Sequence, residues 1–257
     1  EIAVVNLDME NPDECLQYDN AKKMTYSLKN DKADLFAQNI ELYIDSSNYS
    51  LLTTHYKLNI PGEFNIENAL AATAVGLSQG ISLEQSASAL EKITGVPGRL
   101  ESISNDKGFE VMIDYAVTPD SLEKLYQYLS SVKKEGSKII AVFGSCGERD
   151  RGKRPIMGEI VSRYAEHVII TNEDPYGEDP MQIIDEVASG VKNKSEGKNF
   201  WKIFDRREAI AKALSLANPQ DIVIVTGKGA EENMMVGKEK IPWNDKKVIL
   251  EELKKMK

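Results

Sequence analysis

With 257 residues, 41% of them apolar and 28% charged, the chain suits one large or two ordinary folded domains and is neither disordered nor fibrous in composition. The 41 acidic and 32 basic residues leave a formal charge of -9, which disfavours a general nucleic-acid binder but leaves room for a small anionic ligand at a local basic cluster. There is no apolar run long enough to span a membrane and no signal-peptide pattern, so a cytoplasmic protein is expected; two cysteines, Cys15 and Cys146, with His55 and His167, suggest neither a disulfide framework nor a metal site.

Ile2 to Leu7 reads as a buried strand closed by Asp8 and the Asn11-Pro12 turn, and the chain opens inside that strand without a methionine, as a fragment or processed chain would. The stretches FAQNIELYID and YSLLTTHYKL, separated at Ser46 to Asn48, predict a hairpin. In GEFNIENALAATAVGLSQG the period changes: Ile66, Ala69, Leu70, Thr73, Ala74 and Leu77 recur at helical spacing, with Asn65 as a cap and Gly80 as a terminator. A second helix is predicted from Ser82 to about Ile93, started by the capping-box spacing Ser82 to Gln85. Gly95, Pro97 and Gly98 then mark a boundary near residue 98, giving domains 1–98 and 99–257.

Beyond the boundary the apolar runs VMIDYA, KIIAVFG, HVIITN, WKIF and DIVIVTG alternate with helical stretches at 119–133, 153–165, 180–193 and 206–218, before a last amphipathic helix at 244–256. Continuous branched apolar strands between helices predict an α/β fold with a mostly parallel sheet covered on both faces. In such sheets ligands sit outside the carboxyl ends of the strands, where loops meet unsatisfied helix amides.

Those ends are polar throughout. Asp114 closes the first strand ahead of Thr118, a helix cap, and Pro119. After the second come Gly144 and Gly147, then Glu148, Arg149, Asp150, Arg151, Lys153 and Arg154, a donor set for phosphate or carboxylate oxygens that matches neither the P-loop nor the GxGxxG pattern. The third ends in Asn172, Glu173, Asp174, Pro175 and Tyr176, with Asp179 as a cap. Arg206 and Arg207 follow the fourth, in a first helical turn whose dipole they oppose; an internal acid and a ligand are equal candidates to offset them. Gly227, Lys228 and Gly229 make a donor-rich turn after the fifth, with Glu231 and Glu232 available to a cationic amine.

PGEFNIENALAA, GVPGRLE, DYAVTPDSLE, FGSCGERDRGKRPIMG, TNEDPYGEDP, DRREAI, GKGAEE and IPWNDKKV follow one another over nearly the whole chain. This series resembles the C-terminal portion of the Mur ligases, most closely the members that add the third amino acid of the peptidoglycan stem. The resemblance implies part of a central ATPase domain followed by a Rossmann-like C-terminal domain, in an enzyme where ATP phosphorylates the carboxylate of a UDP-linked muramoyl peptide, magnesium neutralises the transferring phosphates, and the incoming amine attacks the acyl phosphate.

Carried over by position, the resemblance implies nucleotide contacts at Asn65, Asn68, Arg99, Asp114 and Tyr115. It places Arg149, Asp150, Lys153 and Arg154 in the basic segment that closes over ATP and substrate, with Arg149 the main charge clamp and Lys153 beside it in catalysis. Glu173, Asp174, Tyr176, Gly227 and Glu231 fall where the family reads the amino acid, Glu231 suiting its ammonium. Members that add meso-diaminopimelate carry Asp-Asn-Pro-Arg where this chain has Glu173-Asp174-Pro175-Tyr176. Loss of that arginine and gain of an acid favour lysine or another diamino acid. Two expected histidines are Val117 and Ala230 here.

The family's P-loop, magnesium ligands, modified lysine and UDP-holding domain all precede the residues aligned with Glu1. The chain alone is therefore expected to be inactive, the missing half being supplied in the same polypeptide or by a companion chain, and the complete enzyme is expected to be a monomer with no nucleic-acid partner. A pseudomurein-peptide ligase, a folylpolyglutamate-type ligase and a non-catalytic ligand-binding module are the alternatives.

Overall fold

In the computed structural model, which describes residues 2–17 and 22–256, contacts between residues divide the chain into Glu1–Gly95 and Val96–Lys257, within the glycine- and proline-containing stretch read as a boundary.

The first unit runs β1 (Ile2–Asn6), α1 (Pro12–Leu16), β2 (Lys22–Ser27), β3 (Leu35–Leu42), β4 (Ser47–Leu51), β5 (Thr54–Leu58), α2 (Glu63–Ser78) and α3 (Leu83–Leu90). Its strands form one sheet in that order, parallel from β1 to β3 and antiparallel from β3 to β5. The sequence expectation needs two corrections. YSLLTTHYKL is not one strand but two, folded at Leu52-Thr53, where Leu52 takes a left-handed φ of 53° that its side chain does not advertise. Helix α2 starts earlier than Asn65: Gly62 is the cap, and Asn65 sits in the first turn, where its Nδ2 donates to the Pro61 carbonyl at 2.7 Å instead of accepting from an amide. The apolar face is as expected, with Ile66, Ala69, Leu70 and Ala74 packing on Tyr49, Leu51, Tyr56 and Leu58 of the sheet. The Ser82–Gln85 capping box forms in both directions at the start of α3.

The second unit runs β6 (Glu101–Ser102), β7 (Glu110–Asp114), α4 (Pro119–Val132), β8 (Ile139–Phe143), α5 (Lys153–Tyr164), β9 (His167–Thr171), α6 (Pro180–Ala188), β10 (Phe200–Ile203), α7 (Arg206–Leu216), β11 (Ile222–Thr226), β12 (Asn233–Val236), β13 (Glu239–Pro242) and α8 (Asp245–Lys255). Strand order is β10-β9-β8-β11-β7-β6, with β6 alone antiparallel, and β12 and β13 make a separate hairpin. The β8 and β11 strands are buried at every residue, as strands covered on both faces must be. Alternate residues Val111, Ile113, Ile140, Val142, Ile169, Val223 and Val225 join Ile210, Leu214 and Ile249 of α7 and α8 in one core. The intervening positions face the other way, where α5 packs between α4 and α6. Helix α6 ends at Ala188, short of the expected residue 193.

The first turn of α7 resolves the question its two arginines posed. Arg206 is buried and paired bidentately with the buried Asp245 of α8, Nε to Oδ1 at 2.9 Å and Nη2 to Oδ2 at 2.7 Å, and it also donates to the Thr226 carbonyl at 2.8 Å. Trp243 Nε1 donates to the same Asp245 carboxylate at 2.7 Å. Arg207 pairs with Glu251 and Glu252 of α8. These cations are therefore balanced inside the fold, and α7, α8 and the end of β11 share one fastening. Asp245→Ala would leave the Arg206 guanidinium buried without its counter-charge, and we expect a loss of about 3–5 kcal/mol of unfolding free energy, read from the urea midpoint. A loss under about 1 kcal/mol would show that the pair does not hold the helices.

Candidate functional site

Because β7, β8, β9 and β11 are parallel neighbours, the loops that leave them emerge at one edge of the sheet, at the start of helices α4, α5 and α6. Asp114, the last residue of β7, accepts from the Leu100 amide through Oδ2 and from the Ala116 amide through Oδ1, both at 2.8 Å. Burial raises its pKa, against the pull of those amides and of the Arg99 charge. Its carboxylate is thus spent on the backbone entering and leaving the strand. The next residue, Tyr115, lies under Arg99, whose guanidinium carbon is 4.5 Å from the ring centre, and its hydroxyl donates to Glu231 Oε1 at 3.3 Å. Burial, then the Glu231 charge, raises the Tyr115 pKa.

Glu231 leads to the centre of the site. Its Oε2 accepts from Lys228 Nζ at 2.5 Å, and the same ammonium reaches Asp174 Oδ2 at 2.6 Å. The Lys228 side chain is 1% exposed; burial alone would depress its pKa, but the two carboxylates outweigh that and leave it raised. The other oxygen of Asp174 accepts from the Met235 amide of β12 at 2.7 Å. One continuous chain of contacts therefore runs Arg99, Tyr115, Glu231, Lys228, Asp174, Met235, joining the ends of β7, β9 and β11. Sequence reasoning noticed Lys228 only as part of a turn; the signal that could have found it was a lysine at the end of one apolar strand with acids both in its own loop, at Glu231, and at the end of another strand, at Asp174.

Glu173 is 2% exposed and accepts from Cys146 Sγ at 3.3 Å. Burial raises its pKa, opposed by the Arg206 charge, and burial followed by Glu173 pushes the Cys146 thiol up. Gly227, at a φ of 109°, backs this carboxyl: a Cβ there would stand 1.9 Å from Glu173 Oε2. Neither acid of the Glu173-Asp174 pair is open to solvent, one being enclosed and the other bonded to Lys228. The extra acid that the sequence offered to a substrate ammonium, Asp174, is bonded within the fold to the Lys228 ammonium and the Met235 amide.

In the basic segment Arg149 is exposed, with Nη1 donating to the Glu148 carbonyl at 3.1 Å and its guanidinium carbon 5.3 Å from the Tyr176 ring centre. Lys153, first in α5, donates to the Val117 carbonyl at 2.8 Å and so ties the β8 loop to the β7 loop. Asp150 is exposed and accepts from the Gly152 amide at 2.8 Å. Arg154 departs from its expected place among the substrate contacts. It is completely buried, its terminal nitrogens bonded to Glu178, Glu186 and the Cys146 carbonyl, so it braces the loop from beneath. Asn65 and Asn68 belong to the first unit, where Asn68 Nδ2 lies 3.4 Å from Asn65 Oδ1 on the first turns of α2. Among the described residues no group of three or more His, Cys, Asp or Glu side chains is arranged to hold a metal ion, and no metal ligand is assigned to this chain.

What the second unit presents outward is an exposed guanidinium on Tyr176, a second on Tyr115, and the partly exposed Glu231 carboxylate. Opposite charges of this kind can receive the two ends of an amino acid, or an anion and an amine.

Comparison with known proteins gives this edge a family. Residues 98–229 match the Mur ligase glutamate ligase domain and residues 1–76 the Mur ligase middle domain. The chain is 35% identical over 260 residues to UDP-N-acetylmuramoyl-L-alanyl-D-glutamate--2,6-diaminopimelate ligase 1 of Clostridium acetobutylicum, covering 99% of this chain and 52% of that ligase. It is 39% identical over 254 residues to the UDP-N-acetylmuramyl-tripeptide synthetase of a Roseiflexus species, covering 95% of this chain and 49% of that protein. A solved diaminopimelate ligase structure superposes with a TM-score of 0.66 at 30% identity, covering 99% of this chain and 53% of that one. The chain spans about half the length of the curated relatives it matches. Its two matched domains make this chain a member of the Mur ligase family.

Proposed function

We propose that the chain is the later part of an ATP-dependent amide ligase that adds the third amino acid to a UDP-N-acetylmuramoyl dipeptide. The observation that carries this reading is the bonded series from Arg99 through Tyr115, Glu231 and Lys228 to Asp174, which holds one partly exposed carboxylate among the ends of three parallel strands. Relatives that match almost the whole chain are named for third-residue ligation, which supports the substrate class.

In this reading Glu231 receives the ammonium of the incoming amino acid, oriented by the Tyr115 hydroxyl and the Lys228 ammonium. Arg149, free at its outer edge, faces the negative charge that builds as a carboxylate is activated and then attacked. Lys153 adds a second cation while fastening its own loop to Val117. Asp114, bonded to Leu100 and Ala116, keeps Arg99 and Tyr115 in register as a flat cationic edge suited to a nucleotide. Asn65 and Asn68 are the nucleotide contacts proposed for the first unit. ATP supplies the phosphoryl group that activates the carboxylate; a set of side chains to hold its magnesium is not found among the described residues.

Preference for lysine or another simple diamino acid over meso-diaminopimelate now rests on Tyr176, since Asp174 is engaged by Lys228. An aromatic ring offers no bidentate donor to a distal carboxylate. Phosphate release by the complete polypeptide, given UDP-N-acetylmuramoyl dipeptide with lysine, ornithine or meso-diaminopimelate, tests both layers. Lysine-dependent turnover is expected; strict dependence on diaminopimelate overturns the preference, and no release with any amino acid overturns the ligase reading.

Arg149→Ala in the complete enzyme should lower kcat by about 10²-fold, because its charge is needed most as the reacting groups become anionic. A kcat near that of the unaltered enzyme would remove Arg149 from the chemistry.

A further inference from the structure

Arg149 is poorly held by its own contacts. Its guanidinium bonds the neighbouring Glu148 carbonyl and lies over Tyr176, and among the described residues no carboxylate pairs with it. Its position must therefore come from the loop that carries it, residues 144–152 between β8 and α5, and that loop is fastened to the next one along the sheet edge. Gly147 N donates to the Asp174 carbonyl at 2.9 Å, and a Cβ on Gly147 would stand 1.9 Å from the Pro175 carbonyl oxygen, so the two backbones meet as closely as glycine allows. Gly177 N donates to Glu148 Oε1 at 3.1 Å.

A single side chain closes both ends of this junction. Glu178 Oε1 accepts from the Glu148 amide at 2.5 Å and from Arg154 Nη2 at 2.9 Å, while its Oε2 accepts from Arg154 Nη1 at 2.9 Å. Glu148 and Arg154 flank the segment holding Arg149, so one carboxylate grips the loop before and after the guanidinium. Arg154 is fully buried and takes Glu186 as a further partner, which in turn pairs with Arg151. The hydrogen bonds from Arg154, then that from Glu148, pull the Glu178 pKa down to about 2, so the grip stays ionised and is lost only as pH falls toward that value.

We propose that Glu178 is a positioning residue for the ligation, setting the place of Arg149 without touching substrate, and that residues 147–154 and 174–178 act as one piece. The inference rests on the ligase reading for its catalytic consequence, though not for the loop geometry.

The test is a cycle in the complete enzyme. Glu178→Ala should lower kcat/KM for the incoming amino acid by about 10- to 100-fold, and Glu178→Gln, which keeps an acceptor for the Glu148 amide but loses the charge facing Arg154, should fall between. In an Arg149→Ala background Glu178→Ala should cost less than about 2-fold more, because the group it places is already gone. Losses that multiply in full would overturn the assignment and leave Glu178 a general brace. Amide exchange in the complete polypeptide supplies a second readout independent of turnover: Glu178→Gln should deprotect residues 147–152 while the β8 and β11 amides keep their protection. Unchanged exchange there overturns the proposal; an unaltered enzyme without amino-acid-dependent phosphate release overturns only the ligase reading.

Discussion

Among the described residues of the second unit three cations, Arg154, Arg206 and Lys228, are buried, and a charge removed from water must find its counter-charge within the protein. Each does so by reaching across elements: Arg154 to Glu178 and Glu186, Arg206 to Asp245, Lys228 to Asp174 and Glu231. All three arise at or just beyond the carboxyl ends of the strands, where an uncovered sheet edge would otherwise have only hydrated loops. The pairs convert those loops into a fixed surface, and the few charges left over, Arg149, Arg99 and part of Glu231, are set on it.

This division of labour explains why a segment so rich in charge presents so few free groups. Of the cations in the run from Arg149 to Arg154, one is sealed in, one is bonded to a neighbouring loop carbonyl, one pairs with Glu186, and Arg149 keeps its outer face open. The acids divide likewise, with Asp114 given to amides, Glu173 enclosed beside Cys146, and Asp174 held by Lys228 and Met235. Preorganised charges of this kind would serve the proposed ligation, since they do not reorganise while charge moves.

The parallel sheet was legible because its strands are continuous apolar runs bounded by glycine or acid. Helix α3 was legible from the capping box alone. The β4–β5 fold was not, because Leu52 and Thr53 carry none of the residues that mark a tight turn, and the start of α2 was misplaced because a glycine cap leaves no side-chain signal. Among site residues, Arg154 shows the limit most plainly. Spacing along the chain places it with Arg149, but α5 begins between them, and the first helical turn swings Arg154 under the loop while Arg149 stays outside. Lys228 and Glu178 were hidden for the complementary reason: their partners lie 54 and 24 residues away in the chain, a separation that only pairing of the strands brings together.

Strand β11 is the last of the large sheet to be made, yet it lies between β8 and β7, hydrogen-bonded to both. Until residues 222–226 leave the ribosome, those two earlier strands have no bridge between them, and their inner edges remain unpaired. Assembly of this half must therefore wait for nearly its whole length, a high-contact-order arrangement that folds slowly and exposes aggregation-prone edges on the way.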